Sequence, residues 1–107
     1  MMSRFTRKDE LPPQMQGDWV DPEDGATLVI AGSDARFQGA SIQYDWFEVE
    51  EKNGALCVYF GIDDPAREDN FVRENLVGLV IDSEGNFHGY NTKFGCTFVK
   101  NHASANV

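Results

Sequence analysis

The segment YDWFEVEEKNGALCVYFGI constrains the fold more than any other part of the chain. Asn53-Gly54 is the pair preferred at the centre of a two-residue type I′ turn, because both central positions need a positive φ. The pairs predicted across this hairpin are Lys52 with Ala55, Val49 with Val58, and Phe47 with Phe60. The apolar residues then meet on one face, so the turn and the hydrophobic pattern predict the same register. The opposite face carries Trp46, Glu48, Glu50, Cys57 and Tyr59.

A second hairpin is predicted in LVGLVIDSEGNFHGYN. The residues from Asp82 to Gly85 suit a type I turn that ends with glycine in the left-handed region. Ile81 should then face Phe87, and His88 and Tyr90 should share the other face of the hairpin.

Short apolar runs separated by Gly, Asp, Asn and Ser fill the rest of the chain, and none has a sustained helical period. They predict an all-β protein, an antiparallel meander that forms a closed or nearly closed small β-barrel. One short helical turn is expected where Asp64 precedes Pro65, since Asp is a favoured N-cap and Pro a favoured first residue. The expected organisation is a flexible N-terminal tail over 1–15, one domain over 16–100 and a flexible C-terminal tail over 101–107.

The charge distribution limits the class of partner. The chain has a formal net charge of −9, and three of its nine basic residues lie within the first eight positions. From Asp9 onward, six basic side chains therefore face 18 acidic ones, which gives a formal charge of −12. Such a surface repels phosphate backbones and anionic lipids, so neither nucleic acid nor a membrane is an expected partner. The charge either keeps the protein soluble or attracts a basic partner.

Motifs for metal, cofactor or catalytic chemistry are weak. The acidic stretch from Asp21 to Gly25 fits a turn, whereas a calcium loop would need a bidentate Glu at its twelfth position, where Gly32 stands. The two cysteines lack C-x-x-C spacing and are expected as free thiols, and the start of the chain lacks the apolar core of a secretory signal, so a cytoplasmic location is expected. Outside the C-terminal tail His88 is the only histidine. We expect no metal, no cofactor and no catalytic residue.

The stretch Gly17-Asp18-Trp19, the apolar run through Leu28 and Ile30, and Phe37-Gln38-Gly39 resemble the first hairpin of the avidin and streptavidin fold, within the calycin superfamily. The likeness covers the first third of the chain. It implies an up-and-down barrel with a small ligand at its open end, with Trp19 covering one end and Lys100 near the indole. A Trp buried in another sandwich core, without Lys100 nearby, is the alternative. The biotin-binding residues of avidins are not matched.

Three function classes remain: a binding module for a small ligand or peptide, an acidic module that interacts with or inhibits a basic partner, and a small hydrolase. We favour the non-catalytic binding module. The candidate ligand-binding residues are Trp46, Tyr59, His88 and Tyr90. Either the Phe and Val cluster fills the interior and leaves Trp46 and Tyr59 outside among Glu48 and Glu50, or Tyr59, His88 and Tyr90 line the interior. A bulge near Trp46 would instead return that ring to the core. The oligomeric state is left open.

Overall fold

The computed structural model describes residues 2–101, with Met2 described by its backbone alone. Ten antiparallel strands form one curled half-barrel sheet in the order β1-β6-β7-β8-β9-β10-β2-β3-β4-β5. The strands are β1 (Met2–Thr6), β2 (Gly17–Val20), β3 (Thr27–Ala31), β4 (Asp34–Phe37), β5 (Ala40–Ser41), β6 (Trp46–Lys52), β7 (Ala55–Gly61), β8 (Gly78–Ile81), β9 (Phe87–Tyr90) and β10 (Gly95–Lys100). A 3-10 turn spans Pro13–Met15 and a helix, α1, spans Pro65–Glu74.

The mostly-β antiparallel architecture is confirmed, but the sheet that was predicted to form a closed or nearly closed barrel is a half-barrel and does not close. The two edges of the sheet are β1 and β5, and β5 has only two residues for pairing. Arg7, just after β1, spans the gap between the edges, which we call the seam. Its Nη1 donates to the Ser33 carbonyl, and its Nη2 lies 3.4 Å from Asp34 Oδ1 and 3.5 Å from Ser41 Oγ. Side-chain contacts therefore stand where a closed barrel would have backbone pairing.

Both predicted hairpins are confirmed in register. Asn53 and Gly54 have φ values of 54° and 82°, as a type I′ turn requires. The pairs Lys52 with Ala55, Val49 with Val58, and Phe47 with Phe60 all form, and so does Ile81 with Phe87 in the second hairpin. The turn residues and the alternation of apolar side chains are thus sufficient to set the register of four strands.

The N-terminal segment differs from the flexible tail expected over 1–15. Met2–Thr6 is strand β1, which pairs with β6, and Phe5 stacks on Phe47 with ring centroids 5.1 Å apart. Leu11 and Met15 are fully buried in the core. The segment is ordered because Arg4 and Arg7 contact acidic side chains of the body, and Phe5, Leu11 and Met15 pack in or against the core. Of the expected C-terminal tail, all but Asn101 lies outside the described residues.

Helix α1 is longer than the single turn that was expected, with ten residues. Its start is as predicted, because the Asp64 carboxylate accepts from the Ala66 amide at 2.9 Å and Pro65 is the first helical residue. The additional turns bring Phe71 into the core, where it is buried. No helix within residues 2–101 has the length and apolarity to span a membrane.

The inner face of the sheet holds the hydrophobic core, and Trp19 is part of it with 8% of its surface exposed. Its indole Nε1 donates to the Met15 carbonyl at 2.9 Å, and its ring meets Phe87 edge-on with centroids 4.6 Å apart. The Lys100 ammonium lies 4.2 Å from the centroid of the Trp19 ring, so the predicted proximity is confirmed. The acidic stretch is also a turn as predicted, closed by a hydrogen bond from the Gly25 amide to the Asp21 carbonyl at 2.8 Å.

Candidate functional site

All four predicted ligand-binding residues lie on the outer face of the sheet. Cross-strand pairing joins Tyr59 to Gly78 and Gly78 to Tyr90 in one row. Trp46 and His88 lie two residues along their strands from positions in that row, so their side chains share the same face. We call this surface the outer aromatic face; its members are Trp46, Glu48, Glu50, Cys57, Tyr59, His88 and Tyr90.

The inner face is filled by the Phe and Val cluster, which decides between the two arrangements that the sequence allowed. Phe47 is 1% exposed and Val58 is fully buried, whereas Trp46 and Tyr59 are half-buried on the outer side. Trp46 pairs in a regular ladder with Gly61, so no bulge turns its ring toward the core. The alternative in which Tyr59, His88 and Tyr90 line the interior is therefore wrong.

Trp46 already carries a cation. The Arg4 guanidinium lies 4.0 Å from the centroid of the Trp46 ring and donates two hydrogen bonds to Glu48 Oε1, at 2.7 and 3.2 Å. The indole packs over Gly61, where any added Cβ would collide with the ring. A guanidinium between an aromatic face and a carboxylate is a favourable arrangement, because the ring quadrupole and the carboxylate both attract it.

Tyr59 and Tyr90 form the centre of the outer aromatic face. The Tyr90 ring covers Gly78, which has no side chain of its own to fill that space. Burial, a hydrogen bond with Cys57 and the nearby acidic groups raise the pKa of Tyr59 to about 12. Burial also raises the pKa of Tyr90. Both phenols are therefore neutral at physiological pH and offer hydroxyl groups and ring faces to a ligand.

His88 is held on both sides of its ring. Its Nδ1 lies 3.1 Å from Thr97 Oγ1 and its Nε2 lies 3.0 Å from Asp82 Oδ2. The hydrogen bond from His88, together with backbone amides of the turn, holds the pKa of the Asp82 carboxyl below its usual value. The order hydroxyl, imidazole, carboxylate resembles that of a catalytic triad. Thr97 is exposed on β10, however, and its backbone amide donates to Asp21 Oδ2 at 3.3 Å, so that amide is not available to stabilise an oxyanion. We therefore assign a structural role to the contacts of His88: they hold the turn from Asp82 to Gly85 in place.

Two clefts beside the inner face of the sheet could not be predicted from the sequence. One, of about 390 Å³, lies between β1, β6 and the segment before β2. The other, of about 430 Å³, lies at the Asn53-Gly54 hairpin. They are bordered by core-facing side chains that remain partly exposed, namely Phe5, Val49, Leu56 and Ile81. These clefts exist because the sheet does not close over its inner face at that end.

Metal and thiol chemistry have little support in the part of the chain that the structure describes. Residues 2–101 contain no group of three or more His, Cys, Asp or Glu side chains that could hold a metal ion. Cys57 and Cys96 are free thiols, and burial raises the pKa of Cys96, which disfavours its reactive thiolate. Comparison of the chain with protein-family models, with curated proteins and with solved structures finds no match in any of the three.

Proposed function

We propose that the protein is a non-catalytic binding module and that the outer aromatic face is its binding surface. The observation that carries this proposal is the grouping of Trp46, Tyr59 and Tyr90 with two carboxylates on a half-buried sheet face whose opposite side is a filled core. Aromatic rings on a rigid sheet provide contact area at a low entropic cost. Because this face is open, it suits an extended peptide better than an enclosed small molecule.

Chemical-shift mapping tests the proposal. A ¹⁵N-labelled full chain is titrated with a peptide library and with a mixed metabolite library, and the amide shifts are followed. Binding should move the amides of Trp46, Tyr59 and Tyr90, and Tyr90→Ala should weaken it. The control is Val99→Ala, since Val99 is exposed on β10 and pairs with Val20 of β2, not with Trp46, Tyr59 or Tyr90. If no compound moves these amides, and Trp46→Ala lowers stability as a core deletion does, the three residues serve packing alone.

A small-molecule site in the inner-face clefts is the second candidate. The supporting observation is that two clefts of about 390 and 430 Å³ fall within the range of roughly 300 to 1,000 Å³ that ligand pockets occupy. Their partly exposed apolar lining suits an apolar ligand. Val49→Trp would fill the smaller cleft and should abolish such binding while leaving the outer aromatic face unchanged.

Kinship with the calycin superfamily remains part of the proposal, and so does a cytoplasmic location. The contact between Lys100 and the Trp19 ring supports the first, because the resemblance predicts it. A solved structure of a relative with the same strand order and a closed sheet would strengthen it.

A further inference from the structure

The outer aromatic face holds one cation and has the groups for a second. Arg4 lies between the Trp46 ring and the Glu48 carboxylate, whose side chain is 17% exposed. This cation comes from β1, within the first eight residues, which carry three of the nine basic side chains of the chain. The contact therefore shows that this face accommodates a guanidinium group.

A second carboxylate borders the tyrosines of this face. Tyr59 pairs across the strands with Glu48, and Glu50, two residues beyond Glu48 on β6, lies diagonally to Tyr59 because it pairs with Cys57. Tyr90 reaches over Gly78 toward Tyr59 from β9. Among the described residues no basic side chain forms an ion pair with Glu50, in contrast to Glu48. The second position thus has a carboxylate and two ring faces but no cation from residues 3–101.

We propose that Glu50, Tyr59 and Tyr90 bind the guanidinium or ammonium group of a basic peptide segment of a partner protein. This inference rests on the proposed function of the outer aromatic face and specifies its ligand. The body charge of −12 from Asp9 onward attracts basic segments and repels nucleic acid, which makes a polypeptide the matching macromolecule. An arginine is favoured over a lysine, since its planar group can stack on a ring and donate to a carboxylate at once.

The electrostatics of Tyr59 are consistent with a cation at this position. Its pKa of about 12 arises first from burial, but the negative charge of Glu50 also contributes. The same negative potential that disfavours a phenolate favours a bound cation, and the neutral phenol leaves its ring face available.

The test compares two peptides that differ in charge alone, acetyl-Gly-Arg-Gly-Arg-Gly-amide and the matched peptide with citrulline in place of both arginines. Each is titrated into the ¹⁵N-labelled full chain at low and at high salt. We expect the arginine peptide to move the amides of Glu50, Tyr59 and Tyr90, and to bind about fivefold or more tightly than the citrulline peptide at low salt. Glu50→Gln should reduce that preference, and Glu84→Gln, which removes an exposed carboxylate in a turn, should not.

Four results would overturn the inference. If both peptides bind this face equally, the outer aromatic face is a binding surface but does not select a cation. If neither peptide binds while a neutral compound from the metabolite library does, the proposed function stands and the ligand class is wrong. If nothing moves these amides, the proposed function fails as well. If the shifts grow with protein concentration alone, a second copy's basic N-terminus is the occupant and the assignment to a partner protein is wrong.

Discussion

Arg7→Ala should destabilise the fold by about 2 kcal/mol, because Arg7 joins the two edges of the sheet across the seam. Its guanidinium donates to the Ser33 carbonyl, lies near Asp34 and Ser41, and stacks 4.3 Å from the centroid of the Tyr44 ring. These contacts belong to the opposite edge of the sheet from β1, so a single side chain couples elements far apart in the sheet order.

The magnitude follows from the separate contacts. A hydrogen bond from a charged donor contributes about 1.5 kcal/mol or more when well shielded, and a cation over a ring contributes about 0.5 to 1. The ion pair with Asp34 contributes less than about 0.5 kcal/mol, because both side chains are 34% exposed and their N to O distance is 3.4 Å. The loss of coupled contacts is only partly additive, which gives about 2 kcal/mol and a decrease in Tm of roughly 10 °C for a domain of this size.

Arg36→Ala is the matched control. Arg36 pairs with the same carboxylate at 2.9 Å but lies on the same strand as Asp34 and is exposed, so its loss should cost less than about 0.5 kcal/mol. Urea denaturation followed by tryptophan fluorescence measures both variants. If Arg7→Ala costs no more than Arg36→Ala, the seam is not held by this side chain and our account of how the open sheet is stabilised is wrong.

A pH series adds a second check on the seam. A hydrogen bond from Ser41, together with Arg36 and Arg7, holds the pKa of Asp34 below its usual value of 3.8. A carboxyl with a depressed folded-state pKa stabilises the fold above its unfolded pKa, and this contribution is lost as the pH falls through the folded pKa. The difference between the wild type and Arg7→Ala should therefore narrow below about pH 4, without vanishing, because the contacts to Ser33 and Tyr44 do not depend on Asp34.

Three further predictions concern the core and the outer aromatic face. Trp19→Ala should cost about 3 to 5 kcal/mol in chemical denaturation, since the indole is 8% exposed and donates to the Met15 carbonyl; a loss below 1 kcal/mol would place the ring outside the core. Gly89→Ala should cost about 1 to 3 kcal/mol, because the new methyl would lie 2.9 Å from the Phe98 ring, and unchanged stability would contradict that packing. Ultraviolet titration should show one phenol that ionises near pH 12, and this transition should be absent in Tyr59→Phe. Because the pKa of Tyr59 is higher in the folded than in the unfolded state, its contribution to the free energy of unfolding should be complete below about pH 10 and decrease above it.

The sequence predicted the hairpins well because their information is local. Asn53-Gly54 sets a turn type, the turn sets the register, and the alternation of Phe47 and Val49 sets the face that is buried. The same reasoning failed for β1, whose residues show no strand alternation. Its order depends on contacts distant in sequence, such as Phe5 with Phe47 and Arg4 with Glu48. The closure of the barrel was predicted wrongly for a related reason, because the residues of a turn do not determine whether the two edge strands of a sheet pair with each other.

The alternation of side chains along each strand placed Trp46 with Tyr59 and His88 with Tyr90, but it did not decide whether these residues face outward or inward, or which contacts they make. The pattern could not show that Tyr90 covers Gly78 or that Arg4 covers Trp46, because both contacts join different strands. The involvement of His88 with Asp82 was equally hidden, although the turn that contains Asp82 was predicted. Glycines facing aromatic residues across a predicted ladder are the one signal that could have located these packed rings.

The three cations that lie over aromatic rings have a common place in the fold. Arg4 lies over Trp46, Arg7 over Tyr44 and Lys100 over Trp19, and each of these basic residues belongs to or adjoins a strand near one end of the chain. An acidic body makes such contacts favourable, because the surrounding carboxylates reinforce the attraction of each ring for a cation. The chain thus uses cations on aromatic rings to attach its terminal strands. A partner that presents a basic side chain to Tyr59 and Tyr90 would use the same interaction between a cation and an aromatic ring. Because salt screens these interactions, both the affinity for the partner and the stability of the fold should decrease as the salt concentration is raised.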